Sequence, residues 1–404
     1  MLRMTFWIRR RWFGGALAAA AIGLGAAQAP AAEAVPANQA APAAQADAGH
    51  KPIFAAAGKI RVEVVAGNLS YPWSLKFLPD GSMLVTEKQP PALVRVSKAG
   101  EVSPPIKGLP PIFADGNGGL LGLALDPHLA DNHLIYLAYS EPGNGTTSGL
   151  AVARAQLGED SLSGFTVIFR QTPKIDDIRN FGGRIAFARD GTLFVGTGDR
   201  FRQDLVQDRS NTIGKLIRIN TDGSIPGDNP FLGQSGVDPA IFSLGHRNIE
   251  GLAIHPSTGR LWEAELGPFG GDELNLPEPT RNYGWPLVSW GRQYEGQAIP
   301  RPTTKPYLTD AIFHWTPVIS PSGIAFYDGA GIPPWDGNLL IGGLSSTALV
   351  RLTLDGERVT SEEKIDMGAR IRDVGQGPDG ALYLLTDQPD GEILRLTLEE
   401  PDEK

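Results

Sequence analysis

Three arginine side chains carry the clearest chemical signal in this sequence. Arg247, Arg370 and Arg372 lie just before, or at the start of, apolar stretches that read as β-strands. Guanidinium groups gathered at one place repel one another unless an anion compensates them. That anion is either an internal carboxylate, for which Asp373 is a candidate, or a bound ligand. We expect an anionic ligand or cofactor, since the planar fork of arginine suits carboxylates; internal salt bridges are the alternative.

A second group of candidate residues lies between positions 265 and 296. Glycines and prolines there stand beside Glu265, Asp272 and Glu273, and carbonyl and carboxylate oxygens are the ligands of a hard cation such as Ca²⁺. The spacing is not that of an EF-hand, so an ordinary acidic loop remains the alternative. Four aromatic residues in this stretch either stack on a sugar ring or flat cofactor or pack in the core: Tyr283, Trp285, Trp290 and Tyr294.

Positioning these side chains requires a scaffold, and the sequence repeats one unit six times. Each unit has a short apolar strand, a turn rich in Asp, Pro and Gly, and a β-branched or aromatic return strand, which is the pattern of a β-hairpin. The copies span residues 74–88, 122–140, 184–199, 251–267, 323–344 and 373–387. The repetition predicts an all-β fold, a six-bladed β-propeller with four-stranded antiparallel blades. A pair of β-sandwiches would not explain six copies of one hairpin.

The ends of the propeller are expected to meet. Residues 59–66 read as a strand that completes the blade made by residues 391–398, because closing the ring removes exposed sheet edges. The innermost strand of each blade lines a central channel, and the residues just before it open on one face. The predicted mouth is formed by residues 72–74, 117–119, 180–183, 247–250, 321–322 and 370–373. The three arginines are therefore expected to converge there.

The N-terminus reads as an export signal. Residues 1–34 place Arg9, Arg10 and Arg11 before an Ala/Gly-rich run with several A-x-A cleavage sites, and RRWF at 10–13 resembles a twin-arginine motif. An uncleaved anchor helix is the alternative, which the weakly apolar run disfavours. Residues 35–57 form a predicted Ala/Pro-rich disordered spacer, and 58–400 the propeller domain. We expect a periplasmic or secreted protein without a stable membrane span after processing.

Composition excludes several classes of function. Removing residues 1–34 leaves 32 basic and 44 acidic residues, a net charge of −12. A chain of that charge is not expected to bind nucleic acid or anionic lipid. The sequence contains no cysteine, which excludes disulfides, thiolate metal sites and thiol nucleophiles.

The motifs between residues 58 and 398 resemble the soluble aldose dehydrogenases that use pyrroloquinoline quinone, the glucose/sorbosone dehydrogenase propellers. The matching stretches are GGLLGLAL (118–125), FGGRIAF (181–187), GKLIRI (214–219), GHRN (245–248), GPFGGDELN (267–275), NYGWP (282–286), PSGIAFY (321–327) and RIRDV (370–374). The resemblance implies that Arg247 and Asn248 touch the quinone, Arg247 stabilising charge on its reacting carbonyl. It implies that Arg370 and Arg372 hold the tricarboxylate.

The same resemblance implies two Ca²⁺ sites. Gly267 and Pro268 would lend backbone carbonyls to a Ca²⁺ that also binds the cofactor. Glu273 and Tyr283 would belong to a second, structural Ca²⁺. Tyr294 would line the quinone.

Four positions depart from the family pattern, all at the predicted cofactor site. Asn180 stands where the family carries the histidine that acts as general base, and an amide cannot accept the proton of a sugar hydroxyl. Loss of a positioned base commonly costs about 10²–10⁴ in rate. Ser345 replaces an expected lysine, Asn117 an expected glutamine and Leu266 an expected histidine.

These residues favour an exported, calcium-dependent quinoprotein that passes hydride from C1 of an aldose, or from another alcohol, to the quinone and then electrons to a respiratory acceptor. One alternative is a non-catalytic propeller that binds a sugar or an anionic small molecule. Another is a lactonase-like metal-dependent hydrolase, disfavoured because an arginine-rich mouth lacks the carboxylates of a metal centre. His246 is the histidine nearest the mouth, with a structural role expected; Asp176 and Asp177 are weaker substitutes for the missing base.

Overall fold

The computed structural model describes residues 52–399, whose regular secondary structure is almost entirely β-strand. Six antiparallel sheets form blades, and the first strand of each blade packs against the first strand of the next. The first strand of the sixth blade packs against that of the first, so the six inner strands close a ring. The predicted six-bladed β-propeller is confirmed.

The strands of the first half follow the blades in chain order. Two N-terminal strands are β1 (Ile53–Ala55) and β2 (Gly58–Leu69). Blade 1 contains β3 (Pro72–Phe77), β4 (Met83–Glu87) and β5 (Ala92–Val96). Blade 2 contains β6 (Leu120–Leu125), β7 (Leu134–Pro142), β8 (Ser148–Leu157) and β9 (Leu162–Arg170). Blade 3 contains β10 (Gly182–Phe187), β11 (Leu193–Thr197), β12 (Lys215–Ile219) and β13 (Ile241–Leu244).

The second half continues this order. Blade 4 contains β14 (Ile249–Ile254), β15 (Leu261–Glu265), β16 (Asp272–Asn275) and β17 (Phe313–Trp315). Blade 5 contains β18 (Pro321–Phe326), β19 (Leu339–Gly343), β20 (Ala348–Asp355) and β21 (Arg358–Asp366). Blade 6 contains β22 (Ile371–Gln376), β23 (Leu382–Thr386) and β24 (Gly391–Leu398). The helical elements are α1 (Leu129–Asn132), α2 (Gln203–Val206) and the 3₁₀ turns Pro302–Thr304 and Pro333–Trp335. Within residues 52–399, no helix has both the length and the apolar character needed to cross a membrane.

All six predicted hairpins are found as the two inner strands of the six blades. Blades 2 to 5 have the expected four strands, whereas β3, β4 and β5 form a sheet of three, extended by a single bridge between Val96 and Val102. The segment after β5 reads SPPIKGLPPIF. Its four prolines cannot donate to a strand ladder, which explains why no regular fourth strand forms there.

The ring closes as predicted, between the two ends of the described chain. β2 pairs antiparallel with β24, with Val62 opposite Leu396. β1 adds a fifth strand to this sheet, with Ile53 opposite Ile60. The spacer predicted over residues 35–57 was therefore wrong at its end, where residues 53–55 pair with and cover the edge of β2. The rest of that spacer up to residue 51, and the predicted export signal, lie outside the described residues.

A register shift interrupts the pairing between the inner strand and its neighbour in all six blades. Such bulges redirect side chains and are frequent beside active sites. In blades 3, 4 and 6 the skipped positions carry the buried charged residues Arg184, Glu250 and Arg372. The bulges thus place ionisable side chains where regular strands would present apolar ones.

Candidate active site at the mouth of the propeller

Two ion pairs join inner strands across the ring. Arg184 Nη1 lies 2.8 Å from Asp373 Oδ1, with both side chains 5% exposed. Arg372 Nη1 lies 2.5 Å from Glu250 Oε2. The sequence predicts that Asp373 neutralises one of the three mouth arginines. Asp373 pairs with Arg184 instead. Arg184 is on β10 and Asp373 on β22, and these two inner strands face each other from opposite blades of the ring. These pairs make the base of the mouth rigid and electrically balanced.

Asp387, directly after β23, links two of the predicted arginines. Its Oδ2 lies 2.6 Å from Arg370 Nη2 and 3.0 Å from Arg372 Nη2. Burial by itself would raise the pKa of Asp387, but Arg372 and Arg370 hold it well below its usual range. The side chain of Arg370 is 47% exposed, whereas that of Arg372 is 6% exposed. Internal carboxylates therefore compensate both arginines, and Arg370 alone of the two faces solvent.

Lys88 is a further cation of this cluster that sequence reasoning missed. It follows β4 directly, as Asp387 follows β23, and burial together with Arg372 lowers its pKa. Among the described residues, no carboxylate oxygen lies within 4.0 Å of its ammonium group. This side of the mouth contains three cations, Lys88, Arg370 and Arg372. It contains two carboxylates, Asp387 and Glu250, so one net positive charge remains.

Arg247 is the mouth arginine whose charge no carboxylate balances. Its Nη1 donates to the carbonyl oxygens of Leu266 at 3.0 Å and Gly267 at 2.6 Å, and its Nη2 donates to the Tyr294 hydroxyl at 3.1 Å. Within residues 52–399, no carboxylate oxygen lies within 4.0 Å of this guanidinium. Arg247 is 5% exposed, so water compensates little of its charge. A buried guanidinium with only neutral partners suits an anion-binding role.

Asn180 lies at the turn into β10. Its φ of 48° is in the left-handed region, which asparagine tolerates better than most residues. Its Nδ2 donates to Asp199 Oδ1 at 2.9 Å, and its backbone N–H donates to Asn117 Oδ1 at 3.2 Å. The following Gly182 has a φ of 69°, and a Cβ there would lie 2.5 Å from the oxygen of Gly196. The FGGR motif therefore forms a tight turn into β10, and this turn places Asn180 at the mouth.

Asp199, which accepts the hydrogen bond from the Asn180 side chain, was not predicted as a site residue from the sequence. It is 1% exposed, and it also accepts hydrogen bonds from the Phe201 backbone N–H at 2.9 Å and Trp285 Nε1 at 2.8 Å. Three donors, counting Asn180, fix the orientation of this carboxylate. Trp285, a predicted stacking aromatic, thus serves as a hydrogen-bond donor from the core.

The predicted calcium carbonyls belong to a loop that Asp272 holds in place. Asp272 accepts the backbone N–H of Gly267 at 2.8 Å, and those of Ile319 and Ser320 at 2.9 and 2.7 Å. Burial raises the pKa of Asp272 to about 6, against the effect of these donors. Because the oxygen of Gly267 accepts from Arg247, a cation held there would sit beside a guanidinium and needs an anion between them.

The residues of the predicted second calcium site are brought together. Glu273 and Tyr283 line one small cavity with Glu265. The Tyr283 hydroxyl, however, donates to the oxygen of Leu276 at 2.6 Å and accepts from the Glu278 backbone N–H at 3.1 Å. That hydroxyl is therefore engaged by the backbone, and the second site remains a prediction.

Two further predicted cofactor contacts have structural partners in this protein. Asn248 Oδ1 accepts from the Gly182 backbone N–H at 2.9 Å, and its Nδ2 donates to Glu250 Oε1 at 3.0 Å. Asn248 therefore joins blades 3 and 4. Ser345 is exposed, and its Oγ lies 3.4 Å from the oxygen of Val318.

Two cavities lie beside Pro268 and Tyr294, and of the two Arg247 lines the smaller. The larger has a volume of about 550 Å³, within the range of small-molecule sites. The smaller, of about 100 Å³, is lined by Arg247, Asp199 and Trp285 among others. Pro268 and Tyr294 line both, so the two spaces are neighbours. A third cavity, of about 840 Å³, lies among the hairpin turns of blades 1, 2, 5 and 6 and contains none of the mouth residues.

Two of the other candidate bases, His246 and Asp177, are engaged with neighbouring side chains. His246 is wholly buried, with Nε2 2.9 Å from Ser243 Oγ. Asp177 pairs with Arg179 at 2.6 Å. Among the described residues, the one group of three His, Asp or Glu side chains spaced for a metal ion is buried; it does not open at the mouth, where a hydrolytic metal centre would be needed.

Comparison with known proteins agrees with this geometry. The family model described as "Glucose / Sorbosone dehydrogenase" matches residues 69–395. The chain belongs to the glucose/sorbosone dehydrogenase family. It is 40% identical over 353 residues to the aldose sugar dehydrogenase YliI of Escherichia coli K12, covering 85% of this chain and 95% of the relative.

Solved structures of the glucose/sorbosone dehydrogenase family superpose on most of the chain. A glucose dehydrogenase crystal structure has a TM-score of 0.80 at 43% identity, covering 84% of this chain and 99% of that one. The structure of the PQQ-bound aldose sugar dehydrogenase of Streptomyces coelicolor has a TM-score of 0.70 at 30% identity, covering 86% of this chain and 100% of that one.

The residues present fit the quinone of this family. Pyrroloquinoline quinone carries three carboxylates, and the mouth offers the uncompensated Arg247, the unpaired Lys88 and the half-exposed Arg370. The two cavities that Tyr294 lines provide room, and the aromatic ring of Tyr294 is 55% exposed. Ca²⁺ at the Gly267 carbonyl fits only together with such an anion.

Proposed function

We propose that this protein binds pyrroloquinoline quinone with Ca²⁺ at the propeller mouth and oxidises an aldose at C1, or another alcohol, with a weakened proton-abstraction step. The observation that carries the proposal is Arg247, a buried guanidinium without a carboxylate partner that lines the smaller of the two neighbouring cavities. The sugar dehydrogenase relatives, which align over most of the chain, support it.

Each mouth residue has a role in this proposal. Bound pyrroloquinoline quinone would supply the two-electron acceptor for hydride from the sugar. Arg247 would stabilise negative charge that develops on the reacting oxygen. Arg370 and Lys88 would hold carboxylates, with Lys88 contributing the charge lost at Ser345.

Three further groups would position or retain the bound species. Arg372 would act through Asp387, by keeping that carboxylate in place against Arg370. Gly267 and Pro268 would hold Ca²⁺ through their carbonyl oxygens.

Proton transfer is the weak point of the site. The Nδ2 group of Asn180 is a donor that already points at Asp199, and its amide oxygen is not basic at neutral pH. Two carboxylates line the small cavity beside Arg247, the buried Asp199 and the exposed Glu295. We assign residual base function to Asp199, because it adjoins Asn180. Its three hydrogen-bond donors make it a poor base, and turnover should be slow.

The proposal is tested by calorimetric titration of chelator-treated protein with pyrroloquinoline quinone in the presence of Ca²⁺. We expect one site, and binding of Arg247→Ala should be weaker by about 10–100-fold, the value of one or two charge-assisted hydrogen bonds. Arg260→Ala is the matched control, since Arg260 pairs with Glu278 and Glu357 away from the mouth. Absence of quinone binding to the wild type, or equal loss in both variants, would refute it.

A second candidate function is favoured by Asn180 itself. An asparagine at the position of the base suits a propeller that binds a sugar or an anionic small molecule without oxidising it. This candidate predicts calorimetric binding of an aldose without reduction of a dye acceptor in the presence of the quinone. Dye reduction that depends on the quinone would exclude it.

The cellular setting is also a proposal. The N-terminal sequence pattern supports export to the periplasm or beyond, and a dehydrogenase there requires an acceptor. We propose a respiratory electron acceptor that takes electrons from the reduced site.

A further inference from the structure

A face of blade 4 carries an unusual concentration of acidic side chains. In the β15–β16 pair, Glu263 lies opposite Asn275 and Glu265 opposite Glu273. Residues two apart on a strand, and residues directly opposite, share one face of the sheet. Three carboxylates and one amide therefore point to the same side, beneath the loop that carries Arg247.

Only part of this face is supplied with donors: Glu265 Oε1 accepts from Asn275 Nδ2 at 3.1 Å, and Glu265 Oε2 accepts from the Arg247 backbone N–H. Glu263 and Asn275 are each 0% exposed. Neither carboxylate oxygen of Glu263, nor Oδ1 of Asn275, has a hydrogen-bond partner among the described residues. A buried carboxylate without a partner is strongly destabilising, because neither water nor a donor compensates its charge. The arrangement requires a proton or a cation.

His246 completes the arrangement. Its Nδ1 lies 3.4 Å from Glu265 Oε1 and 3.8 Å from Glu263 Oε2, and its Nε2 lies 2.9 Å from Ser243 Oγ. If Nε2 donates to Ser243, the lone pair of Nδ1 faces the carboxylates. That pattern, with the distal nitrogen anchored by a second group, is typical of metal-bound histidine.

We propose that His246, Glu263 and Glu265 bind a divalent first-row transition ion, with Zn²⁺ as the best match. One candidate ligand atom from each residue lies within 4.8 Å of the other two. Four-coordinate Zn²⁺ with bonds of about 2.0–2.1 Å needs ligand atoms roughly 3.3 Å apart, so small side-chain rotations suffice. Asn275, whose Nδ2 now donates to Glu265 Oε1 at 3.1 Å, is the candidate fourth ligand, and its amide must turn over to present the unpartnered oxygen.

The donor set decides the class of ion. Imidazole nitrogen with carboxylates suits Zn²⁺ and its neighbours, whereas Ca²⁺ takes oxygen ligands alone. The site is closed to solvent, as in structural Zn²⁺ sites. It is separate from the proposed quinone chemistry, and it would anchor the GHRN turn, since Glu265 also accepts the Arg247 backbone N–H.

A shared proton is the competing occupant, because burial and the charge of Glu265 raise the pKa of Glu263 well above its usual range. The test is to treat the full protein with chelator, reload it with Zn²⁺ alone, and measure bound zinc by elemental analysis and calorimetry. We expect one equivalent in the wild type. Glu263→Gln, which keeps the side-chain shape, should bind it at least about 100-fold more weakly.

Glu278→Gln is the matched control, since this partly exposed carboxylate pairs with Arg260 and Arg281 and is not among the proposed ligands; it should retain the zinc. Co²⁺ in place of Zn²⁺ should give the visible absorption of four-coordinate cobalt in the wild type. Zn²⁺ should raise the melting temperature of the wild type but not of Glu263→Gln. The proposal is overturned if the wild type binds no zinc. It is also overturned if neither chelator nor Zn²⁺ changes the melting temperature of the wild type. Both outcomes can be measured even if a variant fails to fold.

Discussion

Asn180 Nδ2 donates a 2.9 Å hydrogen bond to Oδ1 of Asp199, and both side chains are buried at the edge of the mouth. A histidine at position 180 would place a basic ring nitrogen beside this carboxylate, which would orient the ring and stabilise its charged form. With asparagine the same contact joins an amide donor to the carboxylate, and no basic ring nitrogen remains at position 180. The protein therefore keeps the contact in which Asp199 would orient a base at position 180, but the residue at position 180 is no longer basic.

Asp199→Asn should remove the residual activity that we assign to this carboxylate. The quinone-dependent kcat should fall at least about tenfold, as expected for loss of a base, while calorimetric quinone affinity changes little. Asp177→Asn is the control, because Asp177 is ion-paired with Arg179 and should leave kcat unchanged. Equal kcat in wild type and Asp199→Asn would exclude Asp199 as the base.

Arg370 and Arg372 should behave differently when each is changed to alanine. Arg372→Ala leaves Glu250 buried without its arginine and Asp387 with Arg370 alone, so the free energy of unfolding of the apo protein should fall by about 3–5 kcal/mol. Arg370→Ala removes a half-exposed partner and should cost less than about 1 kcal/mol. Urea unfolding measures both, and similar losses would contradict the buried network.

Lys215 should make stability depend on pH. Its ammonium is buried, with Nζ donating to the oxygens of Val206 at 2.7 Å and Ile213 at 2.6 Å, and burial lowers its pKa to about 7. The unfolded chain keeps this proton up to about pH 10.5, so the free energy of unfolding should rise between pH 7 and 10.5 and be lowest below pH 7. The contribution is on the order of 5 kcal/mol.

Lys215→Met removes the titrating group and isolates its effect. Urea unfolding of both proteins at several pH values should show the rise in the wild type and a flatter profile in the variant, whatever the absolute loss of stability. Parallel profiles would show that Lys215 remains protonated in the folded protein.

Export can be checked on the mature protein. Mass spectrometry of protein from the periplasm or medium should find an N-terminus between about residues 30 and 48, as the A-x-A sites predict. A mature chain that still begins at Met1 would contradict the export proposal.

The sequence alone was sufficient for the propeller because hairpin patterns are local. The alternation and turns of residues 184–199 predict β10 and β11 without reference to any other blade, and the closure of β2 on β24 follows from the cost of exposed edges. The short sheet of blade 1 was readable in principle from its prolines. The motif at 245–248 located Arg247 correctly at the mouth.

Ion-pair partners could not be read in the same way, because they depend on which strands face each other across the ring. Asp373 was adjacent in sequence to the mouth arginines, yet it pairs with Arg184 from the opposite blade. One usable signal was overlooked. Lys88, Asp199 and Asp387 each follow the second strand of a hairpin, so aligning the ends of those strands, as well as their starts, would have found all three.

The central claim is that the mouth retains its cofactor site and has lost its base, and Asn180→His tests it most directly. Quinone-loaded wild type and variant should be compared by dye-linked oxidation of an aldose across pH 5 to 9. The account predicts equal quinone affinity, a gain in kcat of at least about tenfold in the variant, and a rate that rises as the imidazole deprotonates near or above pH 6.5. Rapid turnover by the wild type, or tight quinone binding with no gain from the histidine, would contradict it.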